Sequence, residues 1–433
     1  MLRTFIKALL LCSLIVLPFS AYAQGGAYGA YTPYSIFGIG ELRREGTAFN
    51  SSMGGVGIAT RNKRFINYLN PASITARDSL SFMADVGLSQ KNTIYRQGSL
   101  KSGNNTFNMY DFVMSFPIYR SSAFMIGITP FSDVGYSFTT RVTDPDIIGN
   151  TGHVSYSATG EGSVYQLFAG AAATFWRKLS VGAEVMYYFG TLDKVYSQNF
   201  TDESYNSTQG VNNMLIRSTT AKLGVQYEQR IGEDMSMIFG ATYRFGSGIS
   251  GNSENYDILG SISDTLRYSY SNNSGIKIAD ELGVGVSFKK GDKWSVELNY
   301  LRSGWDKSGM DSAPGFSVDS DVKFTTTATN SFKAGFEIVP NRNDIRYYRK
   351  TMAYRAGLYY DESYYRLDGN KVNSMGVTFG VTLPIKRLYN GISLGIDIGQ
   401  KGSLKHNMVR ERYVMFVVGF NIHDLWFHKT QYE

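Results

Sequence analysis

The sequence has little cysteine and proline, with one Cys and nine Pro among 433 residues. The single cysteine, Cys12, lies in an apolar run at the N-terminus, so the remaining chain has no thiol for a disulfide or a metal site. Beyond that run, no uncharged apolar stretch approaches the ~18–20 residues of a transmembrane helix. Basic residues are interspersed with acidic ones and form no stripe, so nucleic-acid binding has little support.

The N-terminus has the features of a secretory signal peptide. Arg3 and Lys7 precede the apolar run over 8–19, and residues 21–23 (Ala-Tyr-Ala) supply the small residues of a cleavage site. The run is too short to cross a bilayer as a helix. We predict a signal peptide over residues 1–23, and its removal with Arg3 and Lys7 lowers the formal charge from +7 to +5.

Aromatic residues and glycine are abundant, with 31 Tyr, 27 Phe and 46 Gly. From Ser79 onward, segments that alternate apolar and polar residues are separated by breaks rich in Gly, Asn, Asp or Ser. In Ile392–Gly399, for example, every second residue is Ile or Leu and the others are Ser, Gly or Asp. Alternation alone fits a two-layer sandwich or a transmembrane barrel, because both have sheets with one apolar face.

Segment length and loop length favour the barrel. Most segments reach the ~9–11 residues of a tilted transmembrane strand. About fourteen strands are expected to start near Ser79, Asn105, Ser122, His153, Lys178, Met214, Met235, Ile278, Lys293, Thr329, Thr351, Val372, Tyr389 and Val409. Long loops are expected over 91–104, 140–152, 193–213, 247–277 and 306–328.

Short turns follow the even strands, although the turn over 340–350 is longer than the others. This parity predicts that both mature termini are periplasmic, because outer-membrane barrels have their short turns on that side. The predicted fold class is all-β: a transmembrane antiparallel β-barrel over 79–433, located in the outer membrane, with a short periplasmic tail over 424–433.

Charged residues fall on the less apolar side of the strands. They are expected to point into the lumen, because a charge at the lipid midplane costs about 2–4 kcal/mol. The candidate lumen charges are Asp85, Asp111, Glu184, Lys222, Glu228, Arg244, Glu281, Glu297, Lys333, Glu337, Arg355 and Asp397. Their mixed signs predict internal ion pairs, although an open porin lumen would also be polar.

Residues 24–78 lack alternating segments and are predicted to fold as a plug, or hatch, inside the barrel. Gly54, Gly55 and Gly57 permit close backbone packing, and Asn70-Pro71-Ala72 begins with a turn signal. The glycine run has no P-loop lysine and no preceding strand, which disfavours nucleotide binding.

The glycine run followed by Asn70-Pro71-Ala72 resembles the FadL-like transporters of long-chain fatty acids and aromatic hydrocarbons, and related secretion shuttle barrels look similar. The resemblance of the motif covers about residues 49–74, and the rest agrees in architecture. It implies a fourteen-stranded barrel with an N-terminal hatch, passive uptake of small hydrophobic molecules, and lateral exit at a kinked third strand.

Pro130 is the candidate for that kink, because it interrupts the third alternating segment. Proline removes a hydrogen bond from the sheet and marks a bulge or an edge. A harmless bulge near the rim is the alternative interpretation.

Three functions remain: transport, a non-transporting accessory or scaffold role in an outer-membrane secretion or assembly machine, and hydrolysis at the rim. The four histidines, at 153, 406, 423 and 428, have no triad or metal-site spacing, so we predict no enzyme, no catalytic residue, no metal and no cofactor. The expected partners are outer-membrane lipids and a hydrophobic small molecule, or other outer-membrane proteins for the accessory role.

Overall fold

The computed structural model describes residues 30–77, 80–119, 121–202, 204–259, 264–272, 275–313, 315–316, 322–385 and 390–425. The predicted signal peptide lies outside these residues, as does 426–433 of the predicted tail. Within the described ranges, no helix is long and apolar enough to cross a membrane.

Fourteen antiparallel strands form a closed barrel, which confirms the predicted fold class. They are β1 (Ser81–Gln97), β2 (Leu100–Tyr119), β3 (Ser122–Arg141), β4 (Val154–Phe175), β5 (Leu179–Phe200), β6 (Thr208–Ile231), β7 (Met235–Arg244), β8 (Glu281–Lys290), β9 (Trp294–Ser303), β10 (Thr329–Ile338), β11 (Ala353–Leu367), β12 (Asn370–Pro384), β13 (Gly391–Lys401) and β14 (Arg410–Leu425). Each strand pairs with the next along the chain, and β14 pairs with β1 to close the ring.

The outer face of this wall is apolar, as the alternation predicts. On β12 to β14, Phe379, Ile398 and Ile422 are about half exposed, whereas Tyr413 and Val417 on the alternate positions are buried. A strand places successive side chains on opposite faces, so one face meets lipid and the other faces the lumen.

Three of the predicted long loops are largely strand, and the one over 247–277 contains the strands Asn252–Leu259 and Asp264–Asn272. The expected loop over 91–104 is reduced to a tight turn at residues 98 and 99, where Gly98 has a φ of 56°. The expected loop over 193–213 is shortened because β5 continues to Phe200 and β6 begins at Thr208. These strands extend beyond the membrane thickness because paired neighbours satisfy their backbone groups in water as well as in lipid.

The wall differs in height around the ring. Strands β2 to β6 contain 20 to 24 residues each, whereas β7 to β10 contain ten each. Beyond the membrane, the tall side is widened by a hairpin of the strands Asn252–Leu259 and Asp264–Asn272, whose first strand pairs with β6.

Smaller elements fill the segments between and before the barrel strands. The helices and 3-10 turns are Pro33–Ile36, Ala48–Ser51, Pro71–Thr75, Pro145–Thr151, Trp305–Lys307, Met310–Ser312, Tyr348–Thr351 and Lys405–Asn407. The remaining short strands are Glu41–Leu42, Ser247–Gly248, Lys277–Ile278 and Phe324–Thr326.

Candidate functional site

The N-terminal segment, residues 30–77, contacts the wall on every side of the ring. Arg43 pairs with Asp133 of β3, and Arg61 pairs with Glu228 of β6 at 3.4 Å. On another side, the backbone N–H of Gly54 donates to the hydroxyl of Thr378 on β12 at 2.8 Å. A segment that touches β3, β6 and β12 at once must lie inside the barrel.

Glycines allow the N-terminal segment to approach the wall backbone closely. Gly54 has a φ of 72°, a conformation that favours glycine. A Cβ on Gly357 of β11 would lie 2.1 Å from the backbone nitrogen of Gly54. Gly55 also has a positive φ, and a Cβ on Gly57 would lie 2.6 Å from the side-chain amide of Asn50. All three predicted glycines therefore lie where a side chain would collide or strain the backbone.

Asn70 joins two parts of the N-terminal segment and the wall. Its side-chain amide donates to the carbonyls of Ile58 at 2.8 Å and of Val225 on β6 at 3.2 Å. Its side-chain oxygen accepts the backbone N–H of Ala72 at 3.0 Å and caps the turn that begins at Pro71. Asn70, Pro71 and Ala72 are all buried, and this use of the Asn-Pro pair is the turn chemistry expected of it.

Charged residues of the N-terminal segment meet the predicted lumen charges. Glu45 lies 3.6 Å from the ammonium of Lys222 and 3.5 Å from the guanidinium of Arg244. These cations also pair with the wall carboxylates of Glu184 and Glu281 at 3.5 and 3.6 Å. Burial opposes the charged form of Glu45, but Lys222 and Arg244 outweigh it and hold the pKa of this carboxyl below its ordinary value.

A second group of lumen charges lies around the helix Ala48–Ser51. Arg355 donates to Glu337 at 2.7 Å, and its guanidinium lies 4.6 Å from the ring centre of Phe49 and 4.8 Å from that of Phe65. On another strand, Glu297 accepts the backbone N–H of Ala59 at 2.9 Å. Wall charges thus bind both the side chains and the backbone of the N-terminal segment.

The remaining predicted lumen charges differ in their contacts. Asp397 pairs with Arg44 at 2.9 Å, and Lys333 lines the interior cavity described below. Asp85 and Asp111 are buried, and one oxygen of Asp85 and both of Asp111 have no hydrogen-bond partner among the described residues. The prediction of internal ion pairs does not extend to these two.

Pro130 lies where strand β3 changes its pairing partner. Strand β3 is not interrupted there but continues to Arg141, with a bulge against β4 after Pro130. Its pairing with β2 ends at Ile128. The next part of β3 pairs instead with the strand Glu41–Leu42 of the N-terminal segment. Pro130 therefore marks a bulge toward β4 and the beginning of a seam toward β2.

The N-terminal segment closes this seam mainly through backbone hydrogen bonds. The N–H groups of Arg43 and Thr32 donate to the carbonyls of Phe131 and Gly135, each at 2.8 Å. Ser35 adds a hydroxyl that donates to the carbonyl of Gly135 and accepts its N–H at 3.1 Å. Residues 32–43 take the place that β2 would otherwise occupy.

A loop between β9 and β10 covers the part of the N-terminal segment around Gly38. We call its described residues within 304–326 the cap. Trp305, Met310 and Phe316 of the cap are fully buried, and the N–H of Gly38 donates to the carbonyl of Phe316 at 2.6 Å. Two parts of the chain therefore occupy the lumen: the N-terminal segment, which precedes the strands, and the cap, which lies between β9 and β10.

Lys194 of β5 ties the wall, the N-terminal segment and the cap together. Its ammonium donates to the carbonyls of Ile36 at 2.8 Å, Gly38 at 3.2 Å and Gly315 at 3.1 Å. We did not predict this residue from sequence because the expected loop began at Asp193. The alternation of β5, extended by two residues beyond Leu192, places Lys194 on the inward side.

A cavity of about 280 Å³ remains between the N-terminal segment, the cap and the wall. Charged side chains of both signs line it, including those of Glu41, Arg44, Lys91, Lys333 and Asp361. Apolar side chains such as Ile58, Phe131 and Trp305 also line it. Sites for small hydrophobic ligands combine an apolar lining with few polar groups, and the number of charged groups is what distinguishes this cavity from them.

The histidines do not form a site in the described part of the chain. His153 and His406 are exposed, His423 is buried on β14, and His428 lies outside the described residues. Among the described ranges, no group of three or more His, Cys, Asp or Glu side chains could hold a metal ion.

These features define a fourteen-stranded outer-membrane β-barrel with its N-terminal segment inside. Similar solved structures include the toluene transporter TbuX of Ralstonia pickettii, at 16% identity and a TM-score of 0.59, which covers 87% of this chain and 98% of its own. The monoaromatic hydrocarbon channel CymD is similar at 14% identity and a TM-score of 0.58, covering 90% and 99%. A FadL homologue of Pseudomonas aeruginosa is similar at 12% identity and a TM-score of 0.54, covering 90% and 100%.

At these identities the likeness establishes the FadL-like fold predicted from sequence. The BamG family model matches residues 5–433. The chain therefore belongs to the BamG family, which is an outer-membrane family. No curated protein matches the chain.

Proposed function

We propose that this protein is a non-transporting accessory barrel of an outer-membrane secretion or assembly machine, with the N-terminal segment as its plug. The observation that carries the proposal is the filling of the lumen. Trp305 and Phe316 of the cap are buried, and the plug is bound to the wall by Glu45 with Lys222 and Arg244. Opening a path through the lumen would expose these apolar side chains to water and break the buried ion pairs at the same time.

The charge of the remaining cavity also supports this proposal. A hydrophobic molecule that entered it would desolvate Lys91, Lys333 and Asp361 without offering hydrogen bonds in return. The proposed role involves no catalytic step. It includes export by a signal peptide over 1–23, periplasmic termini, and other outer-membrane proteins as partners.

Passive uptake of small hydrophobic molecules is the second candidate, and the seam at Pro130 favours it. If the strand Glu41–Leu42 left β3, the wall between β2 and β3 would have no backbone pairing beyond Ile128. The similar structures of TbuX and CymD are named as a toluene transporter and a hydrocarbon channel. In this scheme the plug shifts and the molecule leaves sideways near Pro130.

A disulfide across the seam separates the two functions. Leu42 and Ser132 lie opposite each other in the pairing of the plug with β3, and the described residues contain no cysteine. The variant Leu42→Cys with Ser132→Cys should therefore cross-link plug and wall under oxidising conditions. Each single-cysteine variant is a control for the substitutions. Ala171→Cys with Ala183→Cys, which joins opposite residues of β4 and β5, is a control for wall cross-linking.

For the accessory role, the oxidised double variant should still be extracted from outer membranes in a complex of defined stoichiometry with a secretion or assembly barrel. Proteoliposomes of the purified protein should take up no more of a monoaromatic hydrocarbon than protein-free vesicles do. Uptake that stops on oxidation and returns on reduction, in the seam variant alone, would establish transport and overturn the accessory role.

A further inference from the structure

The hairpin beside β6 ends in an open edge. Its first strand, Asn252–Leu259, pairs with β6 on one side and with Asp264–Asn272 on the other. In the described part of the chain, Asp264–Asn272 pairs with no other strand. The wall formed by β4, β5 and β6 thus continues through the hairpin and stops at a strand with one unpaired side.

This edge has few of the features that usually protect one. Natural proteins shield an edge with charged side chains, above all Lys, and with Pro, bulges or covering elements. Residues 264–272 include neither Lys nor Pro, and the one bulge lies at Leu266, between the pairs Asp257 with Arg267 and Ile258 with Thr265. The regular edge is therefore the stretch 267–272.

The side chains of this stretch add an apolar surface on the strand. Tyr268 is 59% exposed and Tyr270 is 53% exposed, and because they are two residues apart they share a face. Arg267 and Ser269 occupy the other face and are also exposed. An added strand would thus find backbone donors and acceptors, an aromatic face, and one cation on the polar face.

We propose that the edge Arg267–Asn272 binds an extended segment of a partner outer-membrane protein as one more strand of this sheet. The proposal rests on the accessory role and specifies its docking surface. Main-chain hydrogen bonds would supply affinity, and alternate side chains would supply specificity, as in other strand additions. The chemistry favours a segment with apolar residues toward Tyr268 and Tyr270 and an acidic residue toward Arg267.

A second copy of this chain does not suit the edge. Copies inserted in one membrane have parallel barrel axes, so a two-fold axis along the membrane normal would bring two such edges together in parallel. Antiparallel pairing, which is the more stable arrangement, would require one barrel to be upside down. Parallel pairing is the less stable of the two, so we assign the edge to a different protein.

Photo-cross-linking tests the edge in the full-length protein in its native membrane. A benzophenone amino acid replaces Tyr268 or Tyr270, and as a control it replaces Ile147, an exposed apolar residue on the helix Pro145–Thr151. Tyr268 and Tyr270 should cross-link to one extended segment of one partner, at sites about two residues apart, since a strand has a period of two. Ile147 should not give this product.

Substitution supplies the second readout. Tyr268→Lys with Tyr270→Lys, tested without the photo-reactive amino acid, should reduce the amount of partner that co-purifies with the solubilised protein about tenfold, because both aromatic anchors are lost. Ile147→Lys should leave it unchanged, and equal heat resistance on gels would show that all barrels are folded. Full recovery in the double variant, or cross-links to a second copy, would overturn the proposal while the accessory role stands. If the complex is absent in the wild type as well, the accessory role itself fails.

Discussion

The N-terminal segment is held by different forces on two sides of the lumen. Toward β6 and β7 it is held by buried charges, centred on Glu45 between Lys222 and Arg244. Toward β3 it is held by the ion pair of Arg43 with Asp133 and by backbone hydrogen bonds such as that from Thr32 to Gly135. Removing one member of a buried ion cluster leaves other charges uncompensated, whereas backbone bonds can open one at a time. The β3 side is therefore the weaker attachment.

The largest loss of stability should come from a substitution in the charged attachment toward β6 and β7. Glu45→Gln removes the carboxylate shared by two buried cations and should lower the free energy of unfolding by about 3–5 kcal/mol. Denaturant titration of the refolded protein in micelles measures it. As a control, Lys371→Gln breaks the more exposed pair with Glu362 and should cost no more than about 1 kcal/mol. Equal losses of unfolding free energy in the two variants would show that the buried cluster contributes no more than the exposed pair.

The same carboxyl should make stability depend on pH. The pKa of Glu45 is lower in the folded state than its ordinary value. Its contribution is therefore fully present above the unfolded pKa of about 4.3 and is lost as pH falls through the folded value. The difference between wild type and Glu45→Gln should narrow on acidification below pH ~4.3. A difference that stays constant there would show that Glu45 does not act through its charge.

A smaller loss of stability should follow from adding a side chain where plug and wall are in close contact. Gly357→Ala places a Cβ against the backbone of Gly54 and should cost about 1–3 kcal/mol through overpacking. Gly149→Ala is the matched control, since its Cβ would meet nothing within 4 Å. In the helix Pro145–Thr151 that change should be neutral or stabilising by up to about 1 kcal/mol. Similar outcomes for the two glycines would show that the contact is not tight.

The smallest loss of stability should come from removing one hydrogen-bonding side chain on the β3 side. Ser35→Ala removes the hydroxyl that bonds both backbone groups of Gly135 and should cost about 1 kcal/mol. Amide exchange in the peptide that spans 131–137 should become faster, as measured by mass spectrometry. Ser122→Ala removes a hydroxyl with the same two roles in an exposed turn and should leave that peptide unchanged. Unchanged exchange in Ser35→Ala would show that the seam does not depend on this serine.

The barrel could be predicted from the sequence because period-two alternation is a local signal. The starts of β3, β7 and β10, at Ser122, Met235 and Thr329, are those expected. The predicted loop over 193–213 is too long at both ends, because polar residues on a strand above the membrane resemble those of a loop. Lys194 was missed for that reason, although it binds plug and cap.

The partners of the interior residues could not be predicted in the same way. Glu45 and Arg44 lie in a segment without periodicity, so nothing in their spacing indicates Lys222 or Asp397 as partners. The signal that could have found them is charge itself, since a segment enclosed by a charged lumen needs countercharges. Asp85 and Asp111 show the limit of that rule, because oxygens of both remain without a hydrogen bond among the described residues.

By itself the sequence determined the closed barrel, its strand number and its lipid-facing side, because alternation, strand length and turn residues act between near neighbours. Only the tertiary structure decided that the strand Glu41–Leu42 replaces β2 at β3 and that the cap covers the plug. It also decided that an edge is left open at Asp264–Asn272. These contacts join residues far apart in the chain, and which backbone groups find each other there depends on how the closed wall and the enclosed segment fit in space.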